Sequence, residues 1–287
     1  MGCAYGDPPP QSPDASRPAR ARCGASSGAK VRGVSFEVGA DAYGRFMGRY
    51  SEPLAAKFVA FARLTEGRQA LDVGCGTGAL TAELVGRLGA GAVSAVDPSD
   101  AFVTAARSRF PAVDIRRAAA ERLPFPDDVF DFAFAQLVVH FMDDPVAGLR
   151  EMARVTRRGG VVTASVWDHA GGGGPLTAFW RAVLDLDPHA RDESALAGAR
   201  EGHLAELFAA AGLRDIESTV LTVRASFASF DEWWEPFTLG VGPAGAYVQG
   251  LDARRRDALR GRCAALLPRQ GPIDIVASAW TTLGRAC

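Results

Sequence analysis

From residue 51 onward the apolar positions fall into blocks whose spacing alternates between two types. Leu54, Phe58 and Phe61 share one face at helical spacing, with Ser51 placed to cap that helix and Pro53 in its first turn. Residues 69–73 are a short apolar run of strand type. Leu80, Leu84 and Leu88 then repeat at i, i+4 and i+8, a helix stripe that Gly89 and Gly91 stop. Residues 92–97 read as a second strand, 101–110 as a second helix and 113–118 as a third strand. Residues 130–136, "FDFAFAQ", are apolar in the middle, as a strand buried on both faces should be. A helix over 145–155 follows, and Gly159-Gly160 turn the chain into a fifth strand, "VVTASVW".

Strands that alternate with helices predict a parallel sheet covered on both faces. Ligands of such sheets bind beyond the carboxyl ends of the strands. That rule gathers the Gly74 turn, Asp97, Glu121, Gln136 and Trp167 around one crevice. Beyond Trp167 the pattern loosens. "HAGGGGP" reads as a loop, with glycines 171–174 a possible hinge. Then come a helix with Phe179 and Trp180, a helix over 204–211 and a strand, "STVLTVRASF". The chain closes on another strand pattern, "IDIVASAWTTL". Between the two, residues 227–268 carry aromatics, glycines and an arginine-rich helix, and are expected to form an insertion. The expected organisation is a tail over 1–30, rich in Pro, Ser, Ala, Gly and Arg; a core over 31–226; the insertion over 227–268; and a last core strand in 269–287.

Composition narrows the partners. The 287 residues are 48% hydrophobic with a net charge of -1, enough for a sizeable core and without the basic excess of a nucleic-acid binder. Arg254, Arg255 and Arg256 read as a solvated helix face. The five cysteines are scattered and odd in number, which argues against a disulfide framework or a zinc site, and the four histidines are not spaced as metal ligands. No apolar run reaches membrane-spanning length, and no signal-peptide pattern opens the chain. The expectation is a reduced, cytoplasmic protein without a metal, a membrane segment or a nucleic-acid partner; oligomeric state stays open.

The chemistry lies in "ALDVGCGTGAL", residues 70–80. Gly74-x-Gly76-x-x-Ala79 satisfies the loose dinucleotide fingerprint, a weak signal alone. Asp72 decides against that ligand, because a carboxylate repels a pyrophosphate. It favours S-adenosylmethionine, which has no phosphate and carries an ammonium and a sulfonium. Asp97, closing the second strand, can accept from a ribose diol; NAD sites share this feature, so it indicates a ribosyl ligand without choosing between the two.

Four stretches occur in order: "LDVGCGTGALTAEL", "VDPS", "AAAERLPFPDDVFDFAFAQLVVHFMDDP" and "REMARVTRRGGVVTASVWD". Together, over residues 41–168, they resemble the class I S-adenosylmethionine-dependent methyltransferases of small-molecule type. The resemblance implies a Rossmann-like, doubly wound α/β fold. Its mostly parallel seven-stranded sheet has an antiparallel last strand. It also implies that Gly74, Cys75 and Gly76 line the cofactor and that Asp72 faces its ammonium. Asp97 would take the ribose, Pro98, Ala120 and Glu121 would lie beside the adenine, and Gln136 would close the methionine side. "YGRFMGRY", with Tyr43 and Arg49, is similar to the segment covering the methionine end. One position departs: where many relatives carry an acid for the adenine amino group, this chain has Ala119.

The expected function is therefore methyl transfer to a small, apolar or aromatic acceptor by in-line displacement. A non-catalytic S-adenosylmethionine-binding protein, an NAD(P)-dependent oxidoreductase and a methyltransferase acting on macromolecules are the rivals. His140 is either a substrate-deprotonating base or a structural histidine, and His169 is a weaker candidate of the same kind. Trp233, Trp234 and Phe237 are either core or the walls of an apolar acceptor pocket. Cys75 reads as a small spacer and Asp131 as structural.

Overall fold

The computed structural model describes residues 1–2 and 40–287, with side chains from residue 43. The predicted tail lies outside the described residues apart from its first two. Helix α1 (Ala40–Phe61) precedes strand β1 (Ala70–Val73), which is buried along its whole length. Then follow α2 (Ala79–Leu88), β2 (Val93–Asp97), α3 (Asp100–Arg109), β3 (Asp114–Arg117), β4 (Phe130–Gln136), α4 (Pro145–Val155) and β5 (Thr156–Trp167). The second half comprises α5 (Thr177–Leu186), α6 (His203–Ala210) and β6 (Arg214–Phe227). Helices α7 (Phe230–Trp234), α8 (Gly242–Gln249) and α9 (Ala253–Leu266) come next, and β7 (Ile273–Arg285) closes the chain.

The seven strands form one sheet in the order β3-β2-β1-β4-β5-β7-β6. Pairing is parallel from β3 to β5, while β7 lies antiparallel between β5 and β6. This is the predicted Rossmann-like, mostly parallel α/β sheet with an antiparallel last strand. The strand order reverses between β1 and β4, so their carboxyl ends diverge around a crevice. The helix ends follow local chemistry. Asp144 accepts from Ala147 N at 3.0 Å with Pro145 at the first helical position of α4, and Asp252 accepts from Arg255 N at 2.8 Å to start α9. The three arginines 254–256 on α9 are exposed.

Two local expectations are corrected. Ser51 does not cap a helix: α1 runs unbroken from Ala40 to Phe61 and carries Pro53 in its interior. An interior proline costs about 3 kcal/mol. Tyr50, Leu54, Phe58 and Val59 are all buried on this helix, and each such side chain contributes about 1.5–3 kcal/mol, which outweighs the proline. Gly159 and Gly160 are not a turn before β5 but part of it, at an irregularity opposite β4. Gly159 has φ 76°, and a Cβ on Gly160 would stand 2.8 Å from the carbonyl oxygens of Arg157 and Asp131.

Candidate active site

The glycine turn leaves β1 at the crevice. Gly74 N and Cys75 N donate to the Val96 carbonyl of β2 at 2.8 and 3.0 Å, which folds the turn across the neighbouring strand. Gly74, Gly76 and Gly78 all have positive φ (73°, 54° and 88°). Their surroundings differ. A Cβ on Gly74 would lie inside the Val138 side chain, and one on Gly78 would reach the Phe110 ring at 2.5 Å. A Cβ on Gly76 would meet only Tyr43, at 3.8 Å. Gly76 is thus the turn residue that faces open crevice.

Asp97 is 5% exposed, and its two oxygens are fixed separately: Oδ2 accepts from Gly76 N and Oδ1 from Ser99 N, both at 2.9 Å. Tyr43 of α1 covers this acid, with its ring 5.1 Å from that of Phe102; burial first, then Asp97, pushes its hydroxyl up to about 12. Asp72 is 1% exposed, and Thr81 Oγ1 donates to its Oδ2 at 2.7 Å. Burial is the main cause that pushes Asp72 up to about 7, against the pull of that hydrogen bond. Burial, Asp72 and Asp97 likewise hold the Cys75 thiol far above its ordinary range, so it is an inert spacer. Gln136 Nε2 donates to Ser51 O at 3.0 Å and pins β4 to α1. Tyr43, Asp72, Gly74, Cys75, Gly76 and Gln136 line one cavity of about 30 Å³.

The other expected cofactor residues lie outside that cavity. Arg49 is exposed, pairs with Glu232, donates to Ser226 O at 3.0 Å and lies over the Phe227 ring, which ties α1 to α7. Pro98 is exposed at the rim, where its carbonyl accepts from Arg117 Nε at 3.1 Å. Ala120 is buried. Glu121 Oε1 accepts from Asp144 N at 3.3 Å, at the start of α4. Asp131 accepts from Gln69 N and pairs with Arg68 and Arg157, a structural role.

A second cavity, of about 40 Å³, lies beside the first. Phe46 and Met47 of α1, Leu137, Leu176 and the segment 241–244 give it an apolar wall, and His140, Trp167, His169 and Glu193 give it polar groups. Tyr43 and Leu137 line both cavities. Both spaces are smaller than a nucleoside or an aromatic ring system. His140 is 8% exposed; burial first, and then His169, pushes its pKa well down and keeps it neutral. The two imidazole rings are 6.0 Å apart. Burial also lowers His169, to about 4.

Trp233, Trp234 and Phe237 are 2%, 6% and 2% exposed and sit in an apolar cluster rather than along this cavity. Phe237 stacks on Phe179 at 4.6 Å and meets Phe46 edge-on at 5.3 Å. Trp233 and Phe237 border a separate space of about 10 Å³. The 227–268 segment borders the second cavity through 241–244 instead. Glycines 171–174 are pinned: Gly171 N donates to Asp168 Oδ1 at 2.8 Å, and Gly173 exchanges backbone hydrogen bonds with Asp168 and Ser278. Glu193, Thr81 and Ser165 were not singled out in the sequence, whereas 241–244 fall within the expected 227–268 insertion. Glu193 lies in an irregular stretch without periodicity. Ser165 could have been found from its place near the carboxyl end of β5.

A sheet of this order, with a glycine turn after β1 and an acid closing β2, defines a Rossmann-like protein for a ribosyl ligand. The free face of Gly76 and the remaining lone pairs of Asp97 fit a ribose, and buried Asp72 fits a cationic group rather than a pyrophosphate. A family model described as a methyltransferase domain matches residues 71–164. Malonyl-[acyl-carrier protein] O-methyltransferase of Serratia marcescens is 34% identical over 138 residues, 46% of this chain and 53% of that protein. Phosphatidylethanolamine N-methyltransferase of Cereibacter sphaeroides is 32% identical over 146 residues, 49% of this chain and 70% of that protein. The chain thus spans about half the length of the Serratia relative. Among solved structures, the YcgJ protein of Bacillus subtilis shares the fold, with a TM-score of 0.52 at 20% identity over 82% of this chain and 97% of that one. The chain belongs to the class I S-adenosylmethionine-dependent methyltransferases, and its methyl donor is S-adenosylmethionine. Among the described residues, no helix is long and apolar enough to cross a membrane.

Proposed function

We propose that the chain methylates a small, apolar acceptor held in the cavity between His140, Trp167 and the 241–244 segment. The observation that carries this reading is the shared wall: Tyr43 and Leu137 border both the crevice of the glycine turn and the second cavity. A methyl group can therefore pass between neighbouring sites without crossing solvent. S-adenosylmethionine supplies a methyl on a sulfonium: the acceptor's lone pair forms the new bond, the S–C bond breaks, and sulfur keeps the electron pair. The protein's part is to align the two partners and exclude water. Asp97 and the Gly76 amide orient the ribose, Asp72 takes the ammonium, and Gln136 holds α1 over the methionine side. Arg49, Pro98 and Glu121 belong to the rim in this reading, with Pro98 and Glu121 on the adenine side and Ala120 buried behind them. His140, neutral and buried, accepts the proton when the acceptor arrives protonated.

The near-neutral charge and the apolar wall favour a small molecule over a nucleic acid. The test is a screen of small apolar acceptors that reads out S-adenosylhomocysteine. Turnover with at least one acceptor, lost in a folded Gly76→Val variant, is the expected result. Tight S-adenosylmethionine binding without turnover across the screen would overturn the reading in favour of a non-catalytic binder.

A further inference from the structure

Five buried side-chain nitrogens and oxygens have no hydrogen-bond partner among the described residues: Gln136 Oε1, His140 Nδ1, Ser165 Oγ, Trp167 Nε1 and His169 Nε2. All five lie at the carboxyl ends of β4 and β5 or in the turns that follow. Leaving a buried polar group unpaired costs about 1–3 kcal/mol. Such groups gathered at one end of two adjacent strands point to a ligand that completes them.

Three of the five belong to residues that line the second cavity: His140, Trp167 and His169. His140 and Trp167 are 8% and 2% exposed. A neutral imidazole nitrogen can take a proton, and an indole N–H can only donate. A hydroxyl meets both requirements, since it donates to the imidazole and accepts from the indole. A fourth polar group lines the same cavity. Glu193 is 4% exposed and comes from the stretch between α5 and α6. Trp180 Nε1 donates to Glu193 Oε2 at 2.7 Å, which fixes one oxygen of a carboxyl that lines the cavity. Among the described residues no lysine or arginine lines this space, so none of them balances an anionic acceptor. Burial pushes Glu193 up to about 7 and keeps both histidines neutral, so the carboxyl is in large part protonated and the space carries little net charge.

Resting on the reading above, we propose that the acceptor is an uncharged, flat, apolar molecule with two hydroxyls: one is methylated between His140 and Trp167, and the other donates to Glu193, which sets specificity. The reacting oxygen takes the methyl while its proton passes to a His140 nitrogen and later to solvent. Glu193 touches the acceptor away from the reacting atom, and Trp180 positions Glu193.

The experiment uses the full chain with S-adenosylhomocysteine present. Calorimetry compares phenol and 1-naphthol with catechol, resorcinol, hydroquinone and the dihydroxynaphthalenes. In parallel, turnover with S-adenosylmethionine is followed by mass spectrometry of the methyl ether. At least one dihydroxy compound should bind about tenfold or more tightly than its monohydroxy counterpart, because a site built for a hydroxyl rejects the analogue that lacks it. Glu193→Gln, which keeps an oxygen for Trp180, should shrink that preference several-fold and act on KM more than on kcat. Equal affinity of mono- and dihydroxy compounds in the unaltered protein overturns the proposal and needs no variant. So does an unchanged preference in folded Glu193→Gln, a preference for aromatic amines, or no binding by any dihydroxy compound. Turnover with some other acceptor in these cases would leave the methyltransferase reading standing.

Discussion

The two sides of the crevice treat their polar groups in opposite ways. At the ends of β1 and β2 the acids are held by the protein itself: Asp97 by the Gly76 and Ser99 amides, Asp72 by the Thr81 hydroxyl. At the ends of β4 and β5, five buried polar atoms have no partner among the described residues. The first side is a pre-organised cradle whose geometry does not wait for a ligand. In the function proposed above, the second side is completed by its acceptor. Of the five atoms, Gln136 Oε1 belongs to a residue lining the first cavity, and those of His140, Trp167 and His169 to residues lining the second.

The strongest challenge to this separation is Trp233→Ala. Trp233 is among the largest fully buried side chains of the cluster that carries the acceptor wall. Its loss should lower unfolding free energy by about 3–5 kcal/mol in denaturant titrations. S-adenosylhomocysteine affinity per folded molecule should stay within a factor of a few. A loss of affinity as large as the loss of stability would show that the two sides are one unit.

Asp97→Ala addresses the cradle directly. It should weaken S-adenosylhomocysteine binding by about 1–3 kcal/mol in calorimetry, through lost hydrogen bonds to a charged group. Unchanged affinity would remove the ribose assignment. Asp72 adds a pH dependence of known sign. Its pKa in the ligand-free fold, raised to about 7 by burial, leaves it protonated below that pH. A bound ammonium favours the carboxylate, so binding expels the proton. Affinity for S-adenosylmethionine should rise by up to about tenfold per pH unit from pH 5.5 towards 7 and then level off. A flat profile would separate Asp72 from the ammonium. The same raised pKa means that Asp72 subtracts from the stability of the ligand-free protein as pH rises from about 4 to 7.

The smallest effects sharpen the contrast most. Thr81→Val strips Asp72 of its partner and should destabilise by about 1–3 kcal/mol. Ser165→Ala removes a hydroxyl that has none and should be neutral or stabilising, by up to about 1 kcal/mol. If both changes destabilised alike, the β5 end would be as well satisfied as the β1 end.

Much of this was legible in the sequence. The alternation of runs gave the parallel strands β1 to β5. Asp72, the three glycines and Asp97 form one local motif around a single strand–turn–helix unit and the next strand. Such a motif survives reading in one dimension, because short-range backbone chemistry sets its geometry. The same locality misplaced the start of α1. Ser51 and Pro53 signal a helix start, and only the burial of Tyr50, Leu54, Phe58 and Val59 against the rest of the chain overrides that signal. Composition correctly marked 227–268 as rich in aromatics, and their number could not say which of them face a cavity. Packing decided that Trp233, Trp234 and Phe237 lie in the apolar cluster and that 241–244 line the second cavity. Glu193 had no signal at all, since its place depends on Trp180 and on chain folded far from it in sequence. The sequence by itself thus determined the donor and the sheet that binds it, whereas tertiary structure alone decided the walls of the second cavity, because those walls are built from five separate segments brought together only by burial.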